Sequence, residues 1–335
     1  MTAVPGAAER RPAALTWRNI LRDYPLIPLS VLFVLLVTAV EIGQSGTVSP
    51  HWIAVIVRAS VPLAILAACQ TLTMLTGGID LSIGYIASMA GFVTATFINQ
   101  PGGWQLGIVI ALGAACLAGL VSGVGVGVFK VHPLIMTLGM GLIVYGFANV
   151  WQLRMVQTGA GIPVELKSFG TGLADLGYLN VEVPYNLLAF VPLAVVIILG
   201  LRRSGYGRML YAIGDNPTAA RLSGVRSWQV LIILYLISGL LAGIAGLIAA
   251  GLAQTASVTL VQSSLLPSVA AAVIGGTSIL GGRGGYSGTI LGALILTVLT
   301  ALLTILGLPE PWRLIVFGSI VVLVAAAYTR VTAES

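Results

Sequence analysis

Asp80 is the one acid set well inside the apolar sequence, in the stretch LTGGIDLSIG (Leu75–Gly84). A carboxylate at membrane depth is a candidate for a solute path or gate. One that stands just ahead of an apolar run also suits a helix N-terminus, where free N–H groups and the helix dipole favour negative charge. Its place after Gly77, Gly78 and Ile79 favours the cap, with Ser82 in support, and a direct part in a pathway framed by these residues is the alternative. No catalytic set accompanies it: there is no H-E-x-x-H, no G-x-S-x-G and no pair of intramembrane aspartates. His51 and His132 stand apart at span boundaries and make no metal site. Cys69 and Cys116 sit in apolar runs and read as packing residues. Gly276–Arg283 has the first spacing of a phosphate-cradling loop but lacks its Lys and its Ser/Thr, so no ATP site and no other cofactor is expected on this chain.

The second candidate is a polar island, GYGRMLYAIGDNPTAARLSG (Gly205–Gly224), flanked by Arg202, Arg203 and Arg226. Within it, Asn216 suits an N-cap, Pro217 the first helical position and Gly224 the residue just past the end. Ala219, Ala220 and Leu222 favour helix, Ala219 and Leu222 can share a face, and Arg221 can reach an acidic or backbone acceptor on a partner. Ser223 completes the last turn. The apolar face is too small for firm lipid binding. A short capped helix held outside a bilayer therefore reads as a docking element for a partner that supplies energy.

The elements that must position these residues are transmembrane helices. Of 335 residues, 58% are hydrophobic and only 8% charged, and the mean hydropathy is +1.04; a soluble domain carries about 25% charge. The apolar stretches are continuous and not alternating, which argues against a β-barrel. Hydropathy places about ten spans: 24–42, 52–76, 80–99, 104–129, 133–152, 185–201, 228–252, 265–281, 286–306 and 312–329. The fold class is thus an all-α polytopic membrane protein. A tail (1–23) precedes the transmembrane domain (24–329), and a second tail (330–335) follows it. An inner loop (202–227) and a longer outer loop (153–184) interrupt the spans. With both termini in the cytoplasm, all 16 Lys and Arg except Arg58, Arg154, Lys167 and Arg313 fall on the inner side, as the positive-inside rule requires. The net charge of +6 is distributed in this way between spans, which argues against nucleic acid as the partner. The positively charged start is read as a tail, with no cleaved signal.

Two further patterns concern packing. Gly119, Gly123 and Gly127 recur every four residues, as do the Gly239/Gly243 and Gly288/Gly292 pairs, which reads as close helix contact. The stretch Leu75–Gly84 is echoed by LGGRGGYSGTILG (Leu280–Gly292). If spans 2–5 recur as spans 7–10, the odd offset makes the repeat inverted, as is common in transporters.

Four stretches together resemble the permease subunits of the ribose/xylose/galactose group of bacterial ABC importers, within the branched-chain amino acid/monosaccharide permease superfamily. They are LTMLTGGIDLSIGYIASMAG (Leu72–Gly91), Gly205–Val225, ISGLLAGIAGLI (Ile237–Ile248) and AAVIGGTSILGGRGGYSGTILGALIL (Ala271–Leu296). The resemblance covers roughly residues 50–325. It implies a ten-span fold in a bacterial inner membrane and a second permease copy, identical or related. It also implies a separate cytoplasmic ATPase that carries ATP-Mg, and a periplasmic or lipid-anchored sugar-binding protein. Ala219–Gly224 would match the family's coupling helix. The implied function is monosaccharide import; an ABC permease for a nucleoside or polyol, an ion-coupled secondary carrier and a membrane scaffold remain the other readings.

Overall fold

In a bilayer each backbone N–H and C=O must find a partner within the protein, so long apolar runs fold as helices. A computed structural model describes residues 26–155, 161–175, 177, 182–309, 311–320 and 322. The expected tails (1–23 and 330–335), with Arg10, Arg11, Arg18, Arg22 and Arg330, lie outside the described residues, as does the end of the last expected span.

The chain opens with α1 (Leu26–Gly43), α2 (Pro50–Leu75), α3 (Ile83–Thr96), α4 (Gly103–Gly127) and α5 (Pro133–Met155). The outer loop holds α6 (Val164–Thr171) and the strands β1 (Leu173–Asp175) and β2 (Glu182–Pro184). Then come α7 (Leu187–Arg203), α8 (Gly205–Asp215), α9 (Pro217–Leu222), α10 (Ser227–Ala253), α11 (Leu265–Ile274) and α12 (Tyr286–Ile305). Residues 311–320 are also helical. Among the described residues six helices are long and apolar enough to cross a membrane: α1, α2, α4, α5, α10 and α12. The consecutive helices α7 and α8 qualify together but bend by 66° at their break. The protein is a mostly helical, polytopic membrane protein.

Two of the expected spans differ from the hydropathy reading. In place of a helix over 80–99, residues 76–82 are non-helical and α3 has only 14 residues, about 21 Å of rise against a hydrocarbon core of about 30 Å. In place of 265–281, α11 ends at Ile274 and a glycine-rich connection runs to Gly285. Hydropathy averages over apolar residues whether or not they are helical. It misses a chain that leaves the helix at Gly77, where φ is +78°, and finds polar partners elsewhere.

α10 forms the centre and packs against α4, α3 and α2. The glycine pattern is the reason. A Cβ on Gly119 would overlap the Tyr235 carbonyl, one on Gly123 would crowd Ile232, and one on Gly127 would crowd Trp228. From the other side, a Cβ on Gly239 would overlap the Ala115 carbonyl. The backbones of α4 and α10 therefore touch. Gly246 is as tight against Ala87 of α3, and Gly288 and Gly292 against Gly275 and Ala271 of the α11 end. Lipid tails are as apolar as leucine, so helices in a membrane gain little from the hydrophobic effect and rely on such close packing.

The basic segments gather at one end. Gly127 meets Trp228, Tyr206 Oη donates to the Val230 carbonyl at 3.0 Å, and Gly282 N donates to the Leu75 carbonyl at 3.0 Å. These contacts bring together the turns that carry Lys130, Arg202, Arg203, Arg208, Arg221, Arg226 and Arg283. At the opposite end the long loop is packed and not merely a solvated connector. β1 and β2 pair antiparallel, with Ala174 opposite Val183, and Gly170 of α6 sits on the Gly251–Leu252 backbone of α10. Arg58, whose sequence position suggests reaching for lipid headgroups, instead donates to the Thr171 carbonyl under this cap, while Asn186 Nδ2 donates to the Arg58 carbonyl at 3.0 Å. His51 Nδ1 meets Glu182 Oε2 at 2.5 Å, a pairing that links the start of α2 to β2.

Candidate functional site

Two sites stand out, and a chain of backbone contacts joins them. The first is α9. Asn216 Oδ1 accepts from the N–H groups of Thr218 and Ala219, both at 3.0 Å, and Pro217 occupies the first turn. At the other end Gly224, with φ +87°, turns the chain. Its N–H donates to the Arg221 carbonyl and the Val225 N–H to the Ala220 carbonyl, both at 3.0 Å. This crossed pair is a Schellman stop, and a left-handed residue at this point favours glycine. The six-residue helix is thus closed at both ends by its own residues. Only Ala220 is buried; Asn216, Pro217, Ala219, Arg221, Leu222, Ser223 and Gly224 are exposed, Leu222 to 84%. Ala219, Leu222 and Arg221 therefore offer a small mixed surface to the surroundings.

The second site is Asp80, 2% exposed. Its Oδ1 accepts from Ser82 N at 3.0 Å and Ser82 Oγ at 2.6 Å, and its Oδ2 accepts from Ser238 Oγ of α10 at 2.8 Å. Ser82 is the residue that precedes α3, and its own side chain makes no capping bond. The carboxylate thus closes a local turn before the helix and crosses to a second helix. The Asp80 backbone is held as well: Gln70 Nε2 donates to its carbonyl at 2.8 Å, and its N–H donates to Gln70 Oε1 at 3.2 Å. Thr137 Oγ1 of α5 receives Leu81 N at 3.0 Å and donates to the Ile79 carbonyl at 3.2 Å. Residues 79–82 therefore replace helical hydrogen bonds with side chains from α2 and α5 and with the Asp80 carboxylate, which Ser238 of α10 holds in place, the arrangement that non-helical backbone at membrane depth requires. Ser238 stands eleven residues into α10, about 16 Å from its start, which sets Asp80 near mid-span.

Gln70, Thr137 and Ser238 are hydrogen-bond partners of this segment that the sequence reading passed over. Each is a fully buried polar residue in an otherwise apolar helix, and that is the signal that would have found them. Tyr235, three residues before Ser238, is also buried, and its hydroxyl points toward Gly78, whose Cβ position would be 3.0 Å away.

Between the sites, the two echoing stretches touch. Gly77 packs on the Leu280 carbonyl, and a Cβ on Gly281 would come within 3.1 Å of Gly77 N. Gly214 of α8 lies against both Leu75 and Gly282.

Broken spans around a buried acid, with an exposed capped helix between α8 and α10, define the class: a multi-pass helical membrane protein. Residues 52–325 match the family described as branched-chain amino acid transport system / permease component, and the chain belongs to that family. It is 34% identical over 296 residues to the ribose import permease protein RbsC of Escherichia coli K12, covering 86% of this chain and 90% of that one. It is 32% identical over 307 residues to the fructose import permease protein FrcC of Rhizobium meliloti, covering 90% and 84%. It is 33% identical over 326 residues to the probable ABC transporter permease protein y4mJ of Sinorhizobium fredii, covering 96% and 95%. No solved structure matches the chain.

Proposed function

We propose that this chain is the transmembrane permease subunit of an ATP-binding-cassette importer for a monosaccharide, working in a bacterial inner membrane. The observation that carries the reading is α9: a helix closed by Asn216 and Gly224, buried only at Ala220, with Leu222 and Arg221 turned outward. Such a handle suits an energy source that pushes from outside the membrane. The partner is a cytoplasmic ATPase that carries ATP-Mg; Asn216, Pro217, Ala219, Arg221, Leu222, Ser223 and Gly224 form the surface it meets, while Ala220, expected with them, is buried and anchors the helix from behind. Both termini are cytoplasmic, on the side of the basic turns. The packed cap of α6, β1 and β2 at the opposite end suits a periplasmic or lipid-anchored sugar-binding protein. A second permease copy completes the pathway.

In this mechanism ATP binding closes the ATPase pair and moves α9, and the permease shifts between inward and outward packings. Gly77, Gly78, Asp80 and Ser82 lie on the segment whose position changes. The relatives that import ribose and fructose make a monosaccharide the expected solute. A nucleoside or polyol is the outcome to test against it by uptake competition.

The deciding experiment purifies the chain with whatever co-purifies and measures ATP hydrolysis, with and without Arg221→Glu. An associated ATPase lost on substitution supports the reading, because an exposed charge reversal changes fold stability by no more than about 0.5 kcal/mol. A well-folded preparation that transports alone, driven by an ion gradient and without ATPase, identifies a secondary carrier instead.

A further inference from the structure

α9 has little purchase on the spans by itself, because Ala220 is its one buried residue. The residues just ahead of it are different. Gly214 and Asp215 end α8 and directly precede the Asn216 cap. A Cβ on Gly214 would overlap the Leu75 carbonyl at the end of α2 and the Gly282 N–H in the α11–α12 connection. Gly282 in turn packs on Asp215, with its Cβ position 3.1 Å from the Asp215 Cα, and its N–H donates to Leu75. One turn earlier, Tyr211 Oη donates to the Gly284 carbonyl at 2.9 Å. The end of α2, directly before the 76–82 break, and the 275–285 connection thus both close on the last turn of α8, backbone against backbone at Gly214 and by the Tyr211 side chain at Gly284.

Resting on the importer reading above, we infer that Gly214–Asp215 and Tyr211 form a junction that transmits displacement of α9 to both broken spans at once, and through residues 76–82 to the Asp80 clamp. The other routes are α7, which is separated from α8 by the 66° bend, and α10, which follows α9 after residues 223–226 and which Tyr206 also engages through Val230. Backbone packed without side chains between transmits displacement with little slack, since interiors this dense are bistable and not continuously deformable. Tyr211 is then a positioning residue: it holds the α11–α12 connection to the lever.

The test uses the assembled complex with its co-purifying ATPase. Leu280, 70% exposed in the glycine connection, is replaced by cysteine and labelled with a fluorescent maleimide, with and without ATP plus vanadate. The parent with Cys69 and Cys116 alone supplies the blank. With Tyr211 intact the labelling rate responds to nucleotide. In Tyr211→Phe the ATPase stays bound and that response shrinks about fivefold, the factor a single neutral hydrogen bond carries. Gly214→Ala, which pries the lever from Leu75, abolishes it. A merely structural residue would leave the nucleotide response intact in complex that still holds its ATPase. An unchanged response in Tyr211→Phe overturns the junction and leaves the importer reading standing. Loss of the ATPase from Tyr211→Phe also overturns it, because the hydroxyl would then serve docking. Absence of ATPase from the unsubstituted complex overturns the importer reading itself.

Discussion

Replacing Ser238 with alanine removes one hydrogen bond to a buried carboxylate and leaves the rest of the Asp80 clamp in place. Asp80 Oδ1 keeps its two bonds from Ser82, while Oδ2 loses its 2.8 Å partner. Hydrogen bonds to charged groups contribute about 1.5–3 kcal/mol; those measured between transmembrane helices average about 0.6 and reach about 1.7 kcal/mol. The ranges meet near 1.5 kcal/mol, which is the expected loss for Ser238→Ala. Asp80→Ala strands three donors, the Ser82 N–H and the two hydroxyls, in a site that is 2% exposed, and at about 1–2 kcal/mol each it costs about 3–6 kcal/mol. Asp80→Asn keeps the oxygen that Ser82 uses, and the Ser238 hydroxyl can rotate to accept from the new amide, so about 2 kcal/mol of that loss is restored. The assay is unfolding by sodium dodecyl sulfate in mixed micelles, followed by tryptophan fluorescence, on the four members of the Asp80→Ala/Ser238→Ala cycle. A coupling near 1.5 kcal/mol is expected. Additivity within about 0.5 kcal/mol would mean that the two side chains do not interact, and the clamp reasoning would be refuted. Asp80→Asn should lower transport in proportion to the folded fraction, with solute choice unchanged. A well-folded Asp80→Asn with altered solute choice would move Asp80 from scaffold to pathway.

The glycine contacts and the α9 caps give the remaining predictions. Gly246→Ala sets a methyl group against the Ala87 carbonyl and should cost about 1–3 kcal/mol in the same titration as α3 and α10 separate; Gly113→Ala, with nothing within 4 Å of its Cβ, should stay within about 0.5 kcal/mol of the parent. Asn216→Ala removes both capping bonds of α9, and Gly224→Ala forces an alanine to φ +87°; each should destabilise that helix by about 1 kcal/mol. Because α9 is exposed, the midpoint of global unfolding should hold, while the affinity of the co-purifying ATPase, read by surface plasmon resonance, should fall about fivefold.

What could be read from the sequence was what neighbouring residues decide among themselves. Asn216, Pro217 and Gly224 specify α9 within nine positions, and the structure shows the same residues in the same roles. The four-residue recurrence of Gly119, Gly123 and Gly127 needs only helical geometry to become a stripe, and that stripe faces Tyr235, Ile232 and Trp228. The broken spans obey a different logic. Residues 79–82 can leave the helix because Gln70, Thr137 and the Asp80 carboxylate take the backbone hydrogen bonds that the helix would have made, while Ser238 holds that carboxylate from α10. Gln70, Thr137 and Ser238 come from three helices and span 168 positions of sequence, so no window of residues contains the pattern. The Leu75–Gly84 and Leu280–Gly292 echo was visible as similarity, but that the two stretches touch at Gly77 and Gly281 follows only from the packing of α8 across both. The same distinction explains Arg58. Near the end of an apolar run its local setting points to lipid headgroups, whereas Thr171, 113 residues away, takes its guanidinium. In a membrane, a polar side chain within a span is best read as a request for a distant partner, since water is not there to answer it. Gln70, Thr137, Ser238 and Asp80 are four such requests, and all are answered at residues 79–82: Gln70 by the Asp80 backbone, Thr137 by Ile79 and Leu81, and Asp80 by Ser82 and Ser238. These bonds let the chain leave the helix at 79–82 with its backbone paired, next to the Leu75 end of α2 on which the lever outside the membrane packs.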